Sequence, residues 1–279
     1  MNVTQQTSPP LYKRPLAIGS TLAALALVSG CATVNNPNPR DPFESYNRTM
    51  YAINYNIDQA LFRPIASAYQ TLTPQPAQNC FRNMFNNLGD IWSAANSFLQ
   101  GRPHDFFNTL GRVLFNTTMG VGGCFDVASQ MGSRRIPNDF GTTLGVWGIP
   151  TGPYLELPLL GPSTLRDTTG YVTVLAGIDS LTEVLPIMAI KNVPVRNSLM
   201  GVYIVNMRSN LLDADELVNE VALDRYSFIR DAYLQRRDAM VESRLNGGTA
   251  GDAALPDYGD DEDYDDDSST TTAPAPAQD

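Results

Sequence analysis

The chain offers little from which a catalytic centre could be assembled. Its one histidine, His104, stands in Gly101-Arg102-Pro103-His104-Asp105, beside a helix start, where a solvated histidine is the ordinary outcome. A serine nucleophile needs a strained Gly-x-Ser-x-Gly turn to expose its hydroxyl. The nearest stretch, Gly161-Pro162-Ser163-Thr164-Leu165, ends in leucine, and Ser163 reads better as the cap of the following helix. Gly120, Gly122 and Gly123 lack the lysine and the preceding strand of a phosphate loop. Cys80 and Cys124 come without the histidines or the close spacing of a zinc site, so neither a metal nor a cofactor is expected. Arg134-Arg135 and Arg236-Arg237 could meet phosphates, or could simply be solvated.

The third cysteine carries a different chemistry. Lys13 and Arg14 precede an uncharged apolar stretch, Pro15 to Val28, which is of signal-peptide length and short for a membrane span. It ends in Val28-Ser29-Gly30-Cys31, which resembles the lipobox of bacterial lipoproteins, where the cysteine thiol is acylated and becomes the mature N-terminus. Residues 1–30 are therefore expected to be a cleaved signal and residues 31–40 an acylated linker. Each buried methylene contributes roughly 0.8 kcal/mol, so several chains on Cys31 give lasting attachment. Ala32, rather than aspartate, follows it, which by analogy with lipoprotein sorting favours the outer membrane. Cys80 and Cys124 are then an even pair in an oxidising compartment, either bridged or present as two buried thiols.

The other end sets the overall charge. Asp252 to Asp279 holds ten acidic residues and no basic one, so its −10 equals the formal −10 of all 279 residues. Such a segment cannot bury enough apolar surface to offset ordering, and residues 246–279 are expected to be a disordered acidic tail. Cys31 to Gly251 carries 17 basic and 19 acidic residues, a net −2. No basic stripe suggests nucleic acid.

The elements between are helical. Asp41-Pro42-Phe43-Glu44 has the form of a capped start. Phe43, Tyr46, Met50, Ile53, Ile57 and Leu61 then follow on one face until Pro64, which ends or kinks the helix. A second helix is expected over 79–100, with Phe81, Phe85, Leu88, Trp92 and Leu99 on one side. A third runs over 103–118, carrying Phe106, Phe107, Leu110, Val113 and Leu114. Further helices fit 165–181, 197–212 and 213–245, the last with a break at Asp224 and a capping box at Asp213 and Glu216. No alternating strand series stands out, so the fold class is all-α. Residues 106–165 hold six charges in sixty positions, 10% against 17% for the chain. Their apolar faces suit either a buried core or a membrane interface.

One segment breaks the helical pattern. In Gly148–Asp167, Gly148, Gly152 and Gly161 permit turns, while Pro150, Pro153, Pro158 and Pro162 fix local φ and cannot donate hydrogen bonds. Tyr154, Leu155 and Leu157 are expected on a stiff, irregular apolar strip.

These motifs fit together. "DPFESYNRTMYAINYNID" (41–58), "FLQGRP" (98–103), "GVGGCFDVA" (120–128), "FGTTLGVWGIPTGPYLELPLLGPSTLRD" (140–167), "RSNLLD" (208–213) and "YSFIRDAYLQRR" (226–237) resemble the MlaA (VacJ) family of outer-membrane lipoproteins. The resemblance implies a 41–245 domain built as a ring of amphipathic helices lying in the inner, periplasmic leaflet of the outer membrane, around an amphipathic channel. It implies removal of phospholipids that have strayed into the outer leaflet, beside a trimeric porin, with delivery to a periplasmic carrier, MlaC, and no bond chemistry. Gly148, Pro150, Gly152, Pro153, Tyr154, Leu155 and Leu157 would line or gate that channel. Two other readings stand beside it: a structural lipoprotein that scaffolds porins without conducting lipid, and a lipid hydrolase, which the missing serine elbow and lone histidine oppose.

Overall fold

The computed structural model describes residues 38–176 and 190–247. The signal, Cys31, most of the linker, the end of the 165–181 helix and the tail beyond Gly247 lie outside them. The described elements are α1 (Glu44–Ile57), a π-helical turn (Asp58–Phe62), α2 (Arg63–Leu72), α3 (Gln75–Leu99), α4 (Pro103–Thr118), α5 (Val127–Gln130) and α6 (Phe140–Val146). After them come strands β1 (Tyr154–Leu157) and β2 (Gly161–Thr164), then α7 (Leu165–Ala176), α8 (Val193–Ser209), α9 (Leu212–Val221) and α10 (Arg225–Leu245). Helix dominates, at 71% of the described residues against 4% strand. No described helix is long and apolar enough to cross a membrane.

Two of these helices define the organisation of the body. Pro103 starts α4 at a position where its missing N–H costs nothing, and Gly101, at φ +69°, supplies the left-handed stop after α3. α3 and α4 fold back on one another, and the seam between them is polar. The buried residues of α4 are Asp105, Thr109, Arg112 and Asn116, spaced four, three and four, which is one helical face. Those of α3 include Asn87, Asp90, Ser93, Asn96 and Ser97. Asn87 Nδ2 donates to Thr117 Oγ1 at 2.9 Å, and Arg135 Nε reaches Asp90 at 2.8 Å. The apolar residues look outward: Phe107 is 66% exposed, Phe98 66% and Leu114 58%, while Arg112 is 2%. The periodic apolar faces are thus largely an exterior, and the polar faces form the interior.

Such an interior holds only if its charges are paired, because an isolated buried ion is prohibitively costly. α10 supplies the pairs. Arg230, Arg237 and Arg244 lie seven apart, nearly on one face, and all are buried. Arg230 Nη1 meets Asp41 at 3.1 Å, Arg237 Nη2 meets Asp139 at 2.8 Å, and Arg244 Nη1 meets Asp105 at 2.5 Å. One helix therefore pins the N-terminal segment, the start of α6 and the start of α4. A small hydrophobic core of Tyr154, Tyr226 and Leu234 lies alongside.

Several local expectations change. Asp41 does not cap α1: it is fully buried and accepts from Tyr226 Oη at 2.5 Å and Asn47 Nδ2 at 2.7 Å. Pro64 does not end the first helix, because the widened π turn before it lets the chain continue into α2. α9 starts at Leu212 without a side-chain cap, so Asp213 and Glu216 form no capping box. Asp224 does break the last helix, its side chain accepting from the Tyr226 and Ser227 amides. Ser163 is not the cap of α7; the hydroxyl that accepts from the Asp167 amide, at 3.2 Å, is that of Thr164. Cys80 on α3 and Cys124 in the loop before α5 are joined as a disulfide.

The largest correction is at 148–167. The strip expected to be irregular is a β-hairpin, with Tyr154 opposite Thr164 and Leu157 opposite Gly161. Pro162 is tolerated because both strands of a two-stranded sheet are edges.

Candidate functional site

α1 holds the hairpin with two asparagines spaced seven apart. Asn47 Nδ2 donates to the Tyr154 carbonyl at 3.1 Å, and its Oδ1 accepts from the Glu156 amide at 2.9 Å. Asn54 Nδ2 donates to the Leu157 carbonyl at 2.9 Å, and its Oδ1 accepts from the Leu159 amide at 2.8 Å. Each side-chain amide thus acts as a short piece of a third strand. The strap turns Tyr154 inward, where it is fully buried against Tyr226 and Tyr233. Tyr154 is therefore held in the core and lines neither of the two larger cavities below, and Leu155 and Leu157 are only half-buried. The apolar residues the hairpin projects are at its tip: Leu159 and Leu160 are 65% and 66% exposed. Gly148 and Pro150 sit apart, lining a cavity of about 430 Å³ beside the end of α10. Gly152, at φ +70°, and Pro153 form the approach to β1.

Two larger cavities have walls of divided character. The first, about 570 Å³, lies between α3, residues 135–139, α8 and α10. Phe85, Leu88, Trp92, Met200, Tyr203 and Met240 give it an apolar side; Arg135, Asn138, Asp139, Arg236 and Arg237 give it a polar one. The second, about 480 Å³, lies between α1, the hairpin, α8, α9 and α10. Tyr55, Phe62, Leu159, Leu160, Ile204 and Met207 form its apolar wall. Asp58, Arg208, Asp215 and Arg225 form its polar wall as a chain of ion pairs, with Arg208 Nε 2.6 Å from Asp58 and Nη2 2.8 Å from Asp215. The hairpin therefore does reach a cavity, through Glu156 and Leu159 to Pro162 rather than through Tyr154, Leu155 or Leu157.

The electrostatics keep these walls defined. Burial would raise the Asp139 carboxyl, but the hydrogen bonds and charge of Arg237 outweigh it and hold Asp139 below the ordinary carboxylate range. Glu156 is the opposite case. Burial pushes it up, the bonds from Tyr154 Oη at 2.6 Å and Asn54 Nδ2 at 3.0 Å only partly offset this, and no cation among the described residues pairs with it. Among the described residues no cluster of potential metal ligands occurs.

An amphipathic cavity pair inside a body with an apolar exterior is an arrangement that comparison with other proteins can place. The sequence profile of the MlaA lipoprotein family matches residues 39–240. The chain belongs to that family. Among MlaA relatives, the intermembrane phospholipid transport system lipoprotein of Escherichia coli (strain K12) is 36% identical over 239 residues, which is 84% of this chain and 88% of the relative. Its counterpart in Haemophilus influenzae is 32% identical over 243 residues, 85% of this chain and 92% of the relative. A solved structure, described as the structural basis for maintenance of bacterial outer membrane lipid asymmetry, superposes with a TM-score of 0.58 at 36% identity. It covers 71% of this chain and 97% of its own.

The sequence missed the inward arginines of α10 and the strapping asparagines of α1. Both had a signal: residues of one type recurring at seven, as periodic as the apolar residues beside them. Arg236, for which the sequence left both a phosphate contact and simple solvation open, is exposed and lines the first cavity.

Proposed function

We propose that this chain is an outer-membrane lipoprotein of the intermembrane phospholipid transport system. It withdraws phospholipids that have strayed into the outer leaflet, passes them through its amphipathic interior and so maintains lipid asymmetry. It is a conduit and not an enzyme. One observation carries this reading: α3 and α4 bury their polar faces and leave Phe98, Leu99, Phe107, Leu110, Leu114 and Phe115 exposed. Moving a large apolar side chain from water to hydrocarbon contributes roughly 1.5–3 kcal/mol, so an exterior of this kind favours insertion to helix depth. A phospholipid crossing such a body needs one wall for its head and another for its chains, which the two cavities supply.

The finer parts of the proposal follow from the sequence motifs and from what the family resemblance implies. The signal over 1–30 is removed, Cys31 is acylated, residues 31–40 link the anchor to the 41–245 domain, and the acidic tail from 246 lies outside the conduit. The domain sits in the periplasmic leaflet, beside a trimeric porin, and hands lipid to the carrier MlaC. A strain lacking the chain should accumulate phospholipid in the outer leaflet and become sensitive to detergent; the intact gene should restore both. Restoration by a Cys31→Ala variant still fractionating with the outer membrane would remove acylation from the account. Failure of the intact gene to lower outer-leaflet phospholipid would remove transport.

A further inference from the structure

The guanidiniums lining the first cavity are not equivalent. Arg135 is committed to Asp90, with Nε at 2.8 Å. Arg237 is committed to Asp139 and Asp167, its Nη2 at 2.8 and 3.0 Å from them. Arg236 is one step along α10, about 100° around the helix from Arg237. It is exposed, lines the same cavity and meets no carboxylate among the described residues. Trp92, Phe85 and Tyr203 form the apolar wall of that cavity. A free, planar, permanently charged fork at the rim of an apolar hollow is the chemistry that recognises a phosphate whose ester carries hydrocarbon.

We propose that Arg236 is the headgroup-recognition residue of the conduit, pairing with the phosphodiester of a glycerophospholipid while the acyl chains rest on Trp92 and its neighbours. One uncommitted cation matches one phosphate charge. The site therefore discriminates phospholipids from uncharged diacylglycerols, and favours a singly anionic head such as phosphatidylglycerol. This rests on the reading of the body as a phospholipid path.

The chain has two tryptophans, Trp92 in the cavity and the exposed Trp147. In a Trp147→Phe background, Trp92 alone reports on the cavity. The full mature protein in detergent micelles is titrated with phosphatidylglycerol brominated near the glycerol, and separately with the matching brominated diacylglycerol. The phospholipid should quench Trp92, and Arg236→Gln should raise the concentration for half-quenching about tenfold, the loss of one charge-assisted contact. Arg236→Lys should recover most of the difference, diacylglycerol should respond the same in all variants, and melting should be unchanged. Identical phospholipid titrations in the parent and Arg236→Gln would overturn the assignment. Equal weakening toward both lipids would also overturn it, by making Arg236 a shape-holding residue. Displacement of the lipid by inorganic phosphate would turn the site into one for free phosphate. Absence of quenching by either lipid in the parent protein would defeat the conduit reading itself, an outcome distinct from these.

Discussion

Arg237 and Asp139, 98 positions apart in the chain, meet with Nη2 2.8 Å from Oδ1. The same carboxylate accepts from the Thr142 amide at 2.7 Å, so one acid both caps α6 and receives α10. Arg237 Nε lies 2.9 Å from Asp167 as well, and both of those side chains are buried. Arg237→Leu would leave buried Asp167 with Arg166 alone, whose Nε is 3.1 Å away, at a cost below the about 3–5 kcal/mol of a fully broken buried pair. Urea unfolding in detergent should show it. Asp139 is held below its ordinary pKa, so its share of stability is present at neutral pH and is lost as pH falls through the acid range. The variant should lose that acid-dependent share.

Glu156 titrates in the opposite sense. Its folded pKa is raised, so the native state binds the proton more tightly than the unfolded chain. Stability should decline as pH rises from about 4.3, the unfolded value, through the folded one. Glu156→Gln keeps an acceptor for Tyr154 and removes the ionisation. Unfolding compared at about pH 5 and about pH 8 should show the variant gaining on the wild type at the higher pH; parallel curves would mean that Glu156 ionises without penalty.

The bond between Cys80 and Cys124 closes a loop with a sequence separation of 44. On the chain-entropy account it contributes up to about 4 kcal/mol. Replacing both cysteines by serine should lower the melting temperature and leave lipid handling intact. Free thiols in protein matured in the periplasm, detected by alkylation and mass spectrometry, would argue against the bridge.

Two changes separate the hairpin tip from the Gly148 turn earlier in the same segment. Leu159→Asp with Leu160→Asp places charge on the exposed tip, costing about 3 kcal/mol per charge at membrane depth, so protein should accumulate while outer-leaflet phospholipid rises. Gly148 has φ +91° and open space around it, so Gly148→Leu meets no clash but a backbone penalty of roughly 1–2 kcal/mol. Lipid flux should change more than protein level. Normal asymmetry in both variants would reduce the hairpin to a spacer.

Much of the helical layout was legible. α4 begins at Pro103 and ends at Thr118, as its proline start and three-to-four periodicity indicated. What periodicity does not contain is the medium each face meets. Asp105, Thr109, Arg112 and Asn116 repeat as regularly as Phe106, Leu110, Val113 and Leu114, so the same pattern suits an apolar core or an apolar exterior. The hairpin was hidden for another reason. Its strands have four residues each, too few to show alternation, and α1 fixes their register through Asn47 and Asn54. Asp41 has the type and spacing of a cap, but burial beside Arg230 and Tyr226 binds it more strongly than the helix amides would. The cavities follow from these tertiary pairings, which is why the candidate strip was placed a few residues before the hairpin tip.

The central claim is that lipid passes through the interior and does not merely surround the exterior. Photoreactive residues introduced in living cells at Trp92, inside the first cavity, and at Phe107, on the outer face of α4, separate the two. The account predicts phospholipid adducts at both positions, with those at 92 reduced when Arg236 is changed to glutamine and those at 107 unaffected. Adducts at 107 with none at 92 would describe a lipid-embedded scaffold, and would contradict it.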